Sequence, residues 1–228
     1  MEYNNIVKGR FIDRPNRFIA NCEINGKTEV CHVKNTGRCK ELLVQGTTVY
    51  LQKSDNPNRK TQYDLIAVQK GERLINMDSQ VPNKCAAEFI PQLFENVTLI
   101  KPECTHKNSR FDFYIETAQD KIFLEVKGVT LEENGTVKFP DAPTERGVKH
   151  LKELAECVSE GYGAYVLFVI QMNRAEKFMP NYDTHPEFGQ ALREAVQAGV
   201  KALAYRCDVA EDSIEICGEV PVILSEQK

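Results

Sequence analysis

The feature that most constrains the fold is an unbroken apolar stretch from Gly163 to Ile170. It is far too short to cross a membrane as a helix, which needs about 20 residues. A short apolar run that begins at a glycine is typical of a β-strand buried on both faces. Such a strand needs helices above and below it, and residues 144–160 and 186–198 have helical spacing. The C-terminal part of the chain is therefore predicted to be of the α/β class.

The first third of the chain has a different pattern, in which short strands alternate with turns. Asn25-Gly26 is a strong hairpin signal, because both residues tolerate the positive φ angles of a tight turn. Strands at this close spacing, with one brief helical piece, predict a small closed β-barrel. The strands are expected at residues 6–12, 17–24, 28–33, 47–53 and 63–69, and the helical piece at 38–43.

A change to loop composition around Ser79–Asn83, with Pro82 as a stop, marks a domain boundary. We expect the barrel over residues 1–80 and the α/β domain over residues 81–228. The predicted elements after the boundary include a helix at 84–95 and strands at 97–101, 109–116, 121–129, 201–207 and 213–217. Their order predicts one mixed sheet with helices on both sides.

Charge divides unevenly between the two parts, although the whole chain has a net charge of −4. Residues 1–80 carry 13 basic and 9 acidic side chains, whereas residues 81–228 carry 16 and 24. A local basic patch is enough to attract a phosphate backbone. An excess of four positive charges is also within ordinary variation, so charge alone does not show that residues 1–80 bind nucleic acid.

The eight cysteines include no C-x-x-C pair, which leaves zinc-ribbon and thioredoxin-like sites without support. The first 15 residues contain no apolar segment of the kind found in signal peptides. We therefore expect reduced thiols, used as small apolar side chains, in a cytoplasmic protein that does not insert into a membrane.

A predicted hairpin over residues 109–128 carries two carboxylates on one face. A two-residue turn at Ala118-Gln119 pairs Phe113 with Leu124, Tyr114 with Phe123, Ile115 with Ile122 and Glu116 with Lys121. In this register Asp112 stands opposite Glu125, and like charges in that arrangement destabilise a sheet. A divalent cation between them would remove the repulsion, and Mg²⁺ binds through such carboxylates. Lys127 lies on the same face as Glu125, where it could assist a metal-bound water.

Other interpretations of this hairpin remain open at this point. Glu125 and Lys127 could belong to a solvated strand face, because Glu-x-Lys is a common sequence. Asp112 could instead be protonated, which would also remove the repulsion. A longer turn would shift the register and separate the two carboxylates.

An Asp on one strand followed by Glu-x-Lys on the next resembles the PD-(D/E)xK nucleases, which bind Mg²⁺ and hydrolyse phosphodiesters. Longer motifs resemble one family, the bacterial and archaeal sugar fermentation stimulation protein A family, from about residue 6 to residue 207. The motifs are Gly9-Arg10-Phe11, Asn16-Arg17-Phe18, His32-Val33 with Asn35-Thr36-Gly37-Arg38, Glu41-Leu42-Leu43, Arg59-Lys60-Thr61, Ser109-Arg110-Phe111-Asp112-Phe113, Glu125-Val126-Lys127-Gly128 and Phe139-Pro140-Asp141-Ala142-Pro143-Thr144. The segments His32 to Leu43 and Phe139 to His150 are too long to match by chance. One departure is that Phe111 precedes Asp112, where the superfamily often has a proline.

The resemblance implies an OB-like barrel followed by a PD-(D/E)xK nuclease-like domain, with DNA as the partner and Mg²⁺ or Mn²⁺ as the cofactor. Asp112 and Glu125 would hold the metal, and Lys127 would assist the attacking water. Glu88 would complete the metal site from a helix, with Glu95 as the second choice. For both residues, an exposed helix charge is the alternative.

Further candidates lie in the helix after Lys127 and in the barrel. Arg146 and His150 are one helical turn apart, so they share a face and would position a phosphate or a water. Asp141 is a possible N-cap of that helix. In the barrel, the expected DNA contacts are Arg10, Arg17, Arg38, Arg59 and Lys60, whereas Phe11 and Phe18 are expected in the core.

Two functions are compatible with these residues. The first is a divalent-metal-dependent phosphodiesterase that acts on DNA, which the intact set of Asp112, Glu125 and Lys127 favours. The second is a non-cleaving, sequence-tolerant DNA-binding regulator of sugar-utilisation genes with a nuclease-like fold, which the description of the family favours. The chain has no glycine-rich phosphate loop and no dinucleotide-binding fingerprint, so a nucleotide-dependent enzyme is not indicated.

Overall fold

The computed structural model describes residues 1–35 and 37–225. Thr36, which belongs to the motif after His32, lies outside the described residues. The chain forms a β-barrel followed by an α/β domain, and the two have separate sheets. Among the described helices, none is both long enough and apolar enough to cross a membrane.

The N-terminal part is a closed barrel of five strands, as the strand spacing predicts. The strands are β1 (Ile6–Asn16), β2 (Ile19–Ile24), β3 (Lys27–Val33), β4 (Thr48–Lys53) and β5 (Tyr63–Lys70), and β6 (Arg73–Asn76) pairs with β5 as a hairpin. Parallel pairing of β3 with β5 closes the barrel, which is an OB fold. Asn25 and Gly26 have φ angles of 51° and 75°, as the predicted turn requires.

The α/β domain contains the predicted mixed sheet with helices on both sides. Its elements are α1 (Val81–Leu93), β7 (Val97–His106), β8 (Ser109–Thr117), β9 (Lys121–Val129), β10 (Leu131–Glu133), β11 (Thr136–Phe139), α2 (Glu145–Ser159), β12 (Gly163–Ile170), β13 (Lys177–Pro180), α3 (Pro186–Gln197), β14 (Lys201–Val209) and β15 (Ile214–Glu219). The strand order is β15-β14-β12-β9-β8-β7. The apolar run forms β12, which lies between β9 and β14 and is parallel to both.

The two faces of the central strand β12 pack against different helices. Val166 and Phe168 belong to the cluster that contains Leu151 of α2. Leu167, on the other face, belongs to the cluster that contains Ile90 of α1. All of these side chains are buried, so the strand is covered on both faces as its composition predicts.

Two local predictions are wrong, and one small sheet was not predicted. Pro82 does not interrupt secondary structure. It lies in the first turn of α1, which begins at Val81, and a proline there loses no hydrogen bond. Residues 38–43 form a single turn, not a helix, with the N–H groups of Leu42 and Leu43 donating to the Cys39 carbonyl. The small sheet β10-β11-β13 has no counterpart in the prediction, because strands of three or four residues are too short to display a period.

Buried polar contacts join the barrel to the α/β domain. Lys70 and Arg73 of the barrel pair with the buried Glu132 at 3.1 and 2.6 Å. Gln171, directly after β12, donates to Oδ1 of Asn76 at 3.0 Å. These contacts hold the barrel against the carboxyl ends of β9 and β12, beside the candidate functional residues.

Candidate functional site

The hairpin of β8 and β9 has the predicted register. The pairs are Phe113–Leu124, Tyr114–Phe123, Ile115–Ile122 and Glu116–Lys121. Regular pairing ends there, and Asp112 contacts β9 through its side chain, since its Oδ2 accepts from the backbone N–H of Val126 at 2.8 Å. The carboxylate thus replaces a backbone partner, and it lies beside Glu125 in a different geometry from the predicted cross-strand pair.

Asp112 is half-buried and is held through both of its oxygens. Its Oδ1 accepts from Nδ2 of Asn83, in the first turn of α1, at 2.8 Å. Burial, and then the charge of Glu125, raise the pKa of the Asp112 carboxyl above its usual value. The charge of Glu125 therefore disfavours the ionised form of Asp112.

Glu125 is buried and has one satisfied and one unsatisfied oxygen. Its Oε1 accepts from Nζ of Lys127 and from Nδ1 of His150, both at 2.5 Å. Burial alone would raise the pKa of Glu125, but His150 and Lys127 outweigh it and hold that pKa below its usual value. Its Oε2 is buried and, within the described residues, has no hydrogen-bond partner. A buried carboxylate oxygen in that state costs free energy unless a donor or a cation satisfies it.

Helix α2 brings Arg146 and His150 to the site together, as their spacing predicts. Nε of Arg146 donates to Nε2 of His150 at 3.3 Å. A ring nitrogen that accepts carries no proton, so neutral His150 holds its proton on Nδ1 and donates it to Glu125. The exposed Arg146, the buried His150 and Glu125 thus form one chain of hydrogen bonds.

Glu88 lies away from this chain of hydrogen bonds. Its Oε2 accepts from the amino group of Met1 at 2.9 Å, and its side chain is 57% exposed. Helix α1 turns Asn83 toward Asp112, and Glu88 is more than a third of a turn away around the same helix. The structure therefore does not bring the predicted third ligand to Asp112 and Glu125. In residues 1–35 and 37–225, no three His, Cys, Asp or Glu side chains are grouped so as to hold a metal.

One of the five predicted DNA contacts, Arg59, is paired with a buried carboxylate of the barrel. Its NH1 and NH2 donate to the two carboxylate oxygens of Asp64 at 3.1 and 2.7 Å. Asp64 is buried and also pairs with Lys34 at 3.2 Å. Burial would raise the pKa of Asp64, but Arg59 and Lys34 outweigh it and lower that pKa. Arg59 thus neutralises a buried carboxylate.

The other four predicted contacts, Arg10, Arg17, Arg38 and Lys60, are exposed. The guanidinium carbon of Arg17 lies 4.8 Å from the centre of the Phe18 ring. Phe11 is in the core as predicted, but Phe18 is 43% exposed, so that prediction is wrong for Phe18. An exposed aromatic ring beside a guanidinium is a surface on which a nucleobase can stack.

Arg14 supports the loop that carries Arg38, a role that the sequence reasoning missed. Its guanidinium donates to the carbonyl oxygens of Arg17, Asn35, Gly37 and Arg38 at distances from 2.6 to 3.0 Å. Nothing in its spacing distinguishes Arg14 from the neighbouring arginines, because a guanidinium that binds backbone carbonyls leaves no periodic signal.

The same loop docks on the segment before α2. The backbone N–H of Arg38 donates to Oδ2 of Asp141 at 3.0 Å, and a side chain at Gly37 would collide with that carboxylate. Thr144, not Asp141, caps α2, since its hydroxyl accepts from the N–H of Gly147 at 3.1 Å. The two longest motifs of the sequence therefore meet at this contact between the domains.

Comparison with known proteins matches both domains. A family profile described as the SfsA N-terminal OB domain matches residues 12–77, and one described as the sugar fermentation stimulation protein RE domain matches residues 80–213. A sugar fermentation stimulation protein homolog of Clostridium beijerinckii is 64% identical over 98% of this chain and 100% of its own length. The homolog of Ruminiclostridium cellulolyticum is 61% identical with the same coverage.

A solved structure supports the same assignment. SfsA of Pyrococcus furiosus, described as a complex with Ca²⁺, superposes with a TM-score of 0.87 at 29% identity and with 98% of each chain covered. The similarity spans the barrel and the α/β domain together. The chain therefore belongs to the sugar fermentation stimulation protein (SfsA) family.

Proposed function

We propose that this protein binds DNA and hydrolyses its phosphodiester bonds at a divalent-metal site built on Asp112 and Glu125. The observation that carries this proposal is the unsatisfied Oε2 of buried Glu125, next to a second carboxylate whose pKa is raised. Two carboxylates that repel each other, and a buried oxygen without a hydrogen-bond partner, both lower the stability of the fold. A hard cation such as Mg²⁺ or Mn²⁺ would satisfy both features.

The donor set fits such a cation, because it consists of oxygens only. Mg²⁺ is commonly bound through one or two carboxylates, with waters and substrate phosphates completing its shell. Two protein carboxylates are therefore sufficient without Glu88. The related SfsA structure from Pyrococcus furiosus is described as a complex with Ca²⁺, another oxygen-preferring divalent cation, which supports this part of the proposal.

The surrounding residues would each have a separate role. When bound, the metal would supply a Lewis acid and a more acidic water. Lys127 would place a positive charge beside the scissile phosphate, where negative charge builds in the transition state. His150 would keep Glu125 in one orientation through Nδ1–H, and the exposed Arg146 would bind a phosphate oxygen with its remaining N–H groups.

The barrel would hold the strand. OB barrels bind single strands by combining a basic groove with exposed aromatic side chains, and Arg17 beside Phe18 is such a pair. Arg10, Arg38 and Lys60 would add phosphate contacts, whereas Arg59 is already paired with Asp64. The affinity should therefore fall with salt, with a log–log slope of about −0.7 per phosphate for single strands.

The decisive experiment incubates plasmid and single-stranded DNA with the protein in Mg²⁺, Mn²⁺ or EDTA. Cleavage is expected with the metals and not with EDTA. An Asp112→Asn variant, purified in the same way, excludes a contaminating nuclease, because it should bind DNA without cutting it. Equal cleavage by wild type and variant would remove Asp112 from the mechanism.

A non-cleaving DNA-binding regulator of sugar-utilisation genes remains the second candidate, and one observation favours it. Lys127 is paired with Glu125 at 2.5 Å and no third acidic ligand stands nearby within the described chain, an arrangement that also suits an inactive site. Either function belongs in the cytoplasm, and all eight cysteines are unpaired, which fits a reducing compartment.

A further inference from the structure

An arginine that the candidate site does not yet include lies on the strand that carries Asp112. Arg110 is two residues before Asp112 in β8, so both side chains leave the same side of the strand, with their Cα atoms about 6.6 Å apart. The burial pattern agrees, because the residues on either side of Arg110 are buried, whereas Arg110 is exposed and Asp112 is half-buried. Arg110 therefore places a positive charge next to the first proposed metal ligand.

The guanidinium of Arg110 is only loosely held. Within the described residues its one ion pair is with Glu103, whose Oε2 lies 3.6 Å from NH1, beyond hydrogen-bond length. The two side chains are 58% and 68% exposed, and an ion pair in that environment adds little to stability. Arg59, by contrast, donates two hydrogen bonds to a buried carboxylate. The N–H groups of Arg110 are thus available to a ligand.

Glu103 approaches Arg110 from the neighbouring strand. The register of β7 and β8 places Glu103 opposite Asp112, so Arg110 is the diagonal neighbour of Glu103. A purely structural role for Arg110 would be to offset the negative charge of Glu103 beside Asp112. That role and a ligand-binding role predict different results when Glu103 is replaced.

Arg146 and Arg110 bring exposed guanidinium groups to the two carboxylates from different elements. Arg146 reaches Glu125 through His150, from helix α2, whereas Arg110 lies beside Asp112 in β8. A nucleic-acid strand carries a negative charge at every nucleotide, so a strand with its scissile phosphate at the metal brings further phosphates next to the site. A guanidinium matches a phosphate because its parallel N–H groups can bind two of the oxygens.

We propose that Arg110 binds the phosphate next to the scissile one and is therefore a further substrate-binding residue of the candidate site. The inference rests on the proposed function, because it requires a DNA strand at Asp112 and Glu125. Glu103 holds the guanidinium in the absence of the strand, and the phosphate takes its place. Because the flanking phosphate keeps its charge throughout the reaction, the contact should contribute equally to the ground state and the transition state. It should therefore affect KM and not kcat.

The test measures binding of a short thymidine strand by fluorescence anisotropy at several salt concentrations, in EDTA to prevent cleavage. Arg110→Gln should weaken binding by roughly twofold to tenfold at low salt. It should also make the log–log salt slope shallower by about 0.7, the value of one phosphate contact. Lys201→Gln removes the same charge from an exposed position on β14, which β12 separates from β9, and it should leave the slope unchanged.

Replacement of Glu103 separates phosphate binding from charge neutralisation. Glu103→Gln removes the carboxylate that competes for the guanidinium, so it should tighten binding, and Arg110→Gln should still weaken binding in that background. If Arg110 only offsets Glu103, Arg110→Gln should have no effect once Glu103 is neutral, and the inference would be wrong.

Cleavage kinetics in Mg²⁺ give a second readout. Arg110→Gln should raise KM severalfold and leave kcat nearly unchanged, and a lower kcat at unchanged KM would contradict a ground-state phosphate contact. If wild type binds the strand but Arg110→Gln keeps its full salt slope, this inference fails and the proposed function stands. If wild type does not bind the strand at all, the proposed function fails and this inference fails with it.

Discussion

Because the charges of Asp112 and Glu125 repel each other, we expect removal of one charge to have opposite effects on stability without and with metal. Replacing Asp112 by Asn removes one of the two charges and keeps the shape of the side chain. The new amide oxygen can still accept from the N–H of Val126, and the Asn83 amide can turn to accept from the new NH₂. Because burial and the Glu125 charge disfavour the ionised Asp112, the metal-free variant should be as stable as wild type or more stable.

Addition of metal should reverse the order of stability. A ligand present at 100 times its dissociation constant stabilises the folded state by about 2.7 kcal/mol. For a chain of this length, that corresponds to a rise in Tm of about 5–10 °C. Wild type should show this rise with Mg²⁺ or Mn²⁺, whereas Asp112→Asn should lose most of it.

Differential scanning calorimetry in EDTA and in each metal measures both effects. Glu116→Gln is the matched control, because Glu116 lies on the same strand and its Oε1 accepts from the Tyr114 hydroxyl at 2.7 Å, a bond that Gln can keep. The control should retain the full metal-induced rise. If Asp112→Asn also retains it, Asp112 is not a ligand and the non-cleaving function moves ahead.

Three further results are expected. Arg59→Gln should lower the free energy of unfolding, measured by urea titration, by about 1–3 kcal/mol, because Asp64 stays buried with less positive charge beside it. The control Lys60→Gln should change that free energy by less than about 0.5 kcal/mol. The pKa of Asp64 is lowered in the folded state, so ionised Asp64 should stabilise the fold above about pH 4. This stabilisation should be lost as the pH falls through the folded pKa. Asp64→Asn should not show that loss in the same titrations. Phe18→Ala should weaken single-strand binding by about 1–3 kcal/mol without changing its salt slope, whereas Arg38→Ala should make the slope shallower by about 0.7.

The hairpin illustrates how far sequence reasoning reaches. A period of two along each strand, together with a short turn, was enough to predict four pairs correctly. It could not predict that pairing stops at Phe113 and that Asp112 then uses its side chain as the partner of Val126. The alternation of apolar and polar residues continues through Phe111, Asp112 and Phe113, so no local pattern marks the end of the pairing.

Helix phase and loop contacts were beyond the sequence for related reasons. The sequence does not determine where α1 begins or which face of the helix packs on the sheet, and Glu88 could be a metal ligand only if it lay on that face. With α1 beginning at Val81, Asn83 takes the position next to Asp112. Likewise, Arg59 lies in a loop without hydrophobic periodicity. The sequence therefore cannot distinguish an Arg59 that pairs with buried Asp64 from one that is exposed and free to bind DNA.

The contact between the two long motifs connects the barrel to the candidate site mechanically. Arg14 holds the loop around Arg38 through backbone carbonyls, and that loop is bonded to Asp141 just before α2 begins. Helix α2 in turn carries His150, which orients Glu125. Under the proposed function, a strand bound to the exposed side of the loop would be held at a set distance from the carboxylates by this short series of hydrogen bonds. A Gly37→Ala change, which would displace Asp141, should impair cleavage more than binding, because it shifts the barrel loop relative to α2 without altering the exposed residues of the barrel. Parallel measurements of single-strand affinity and of cleavage rate would check this, and an equal loss in both would contradict it.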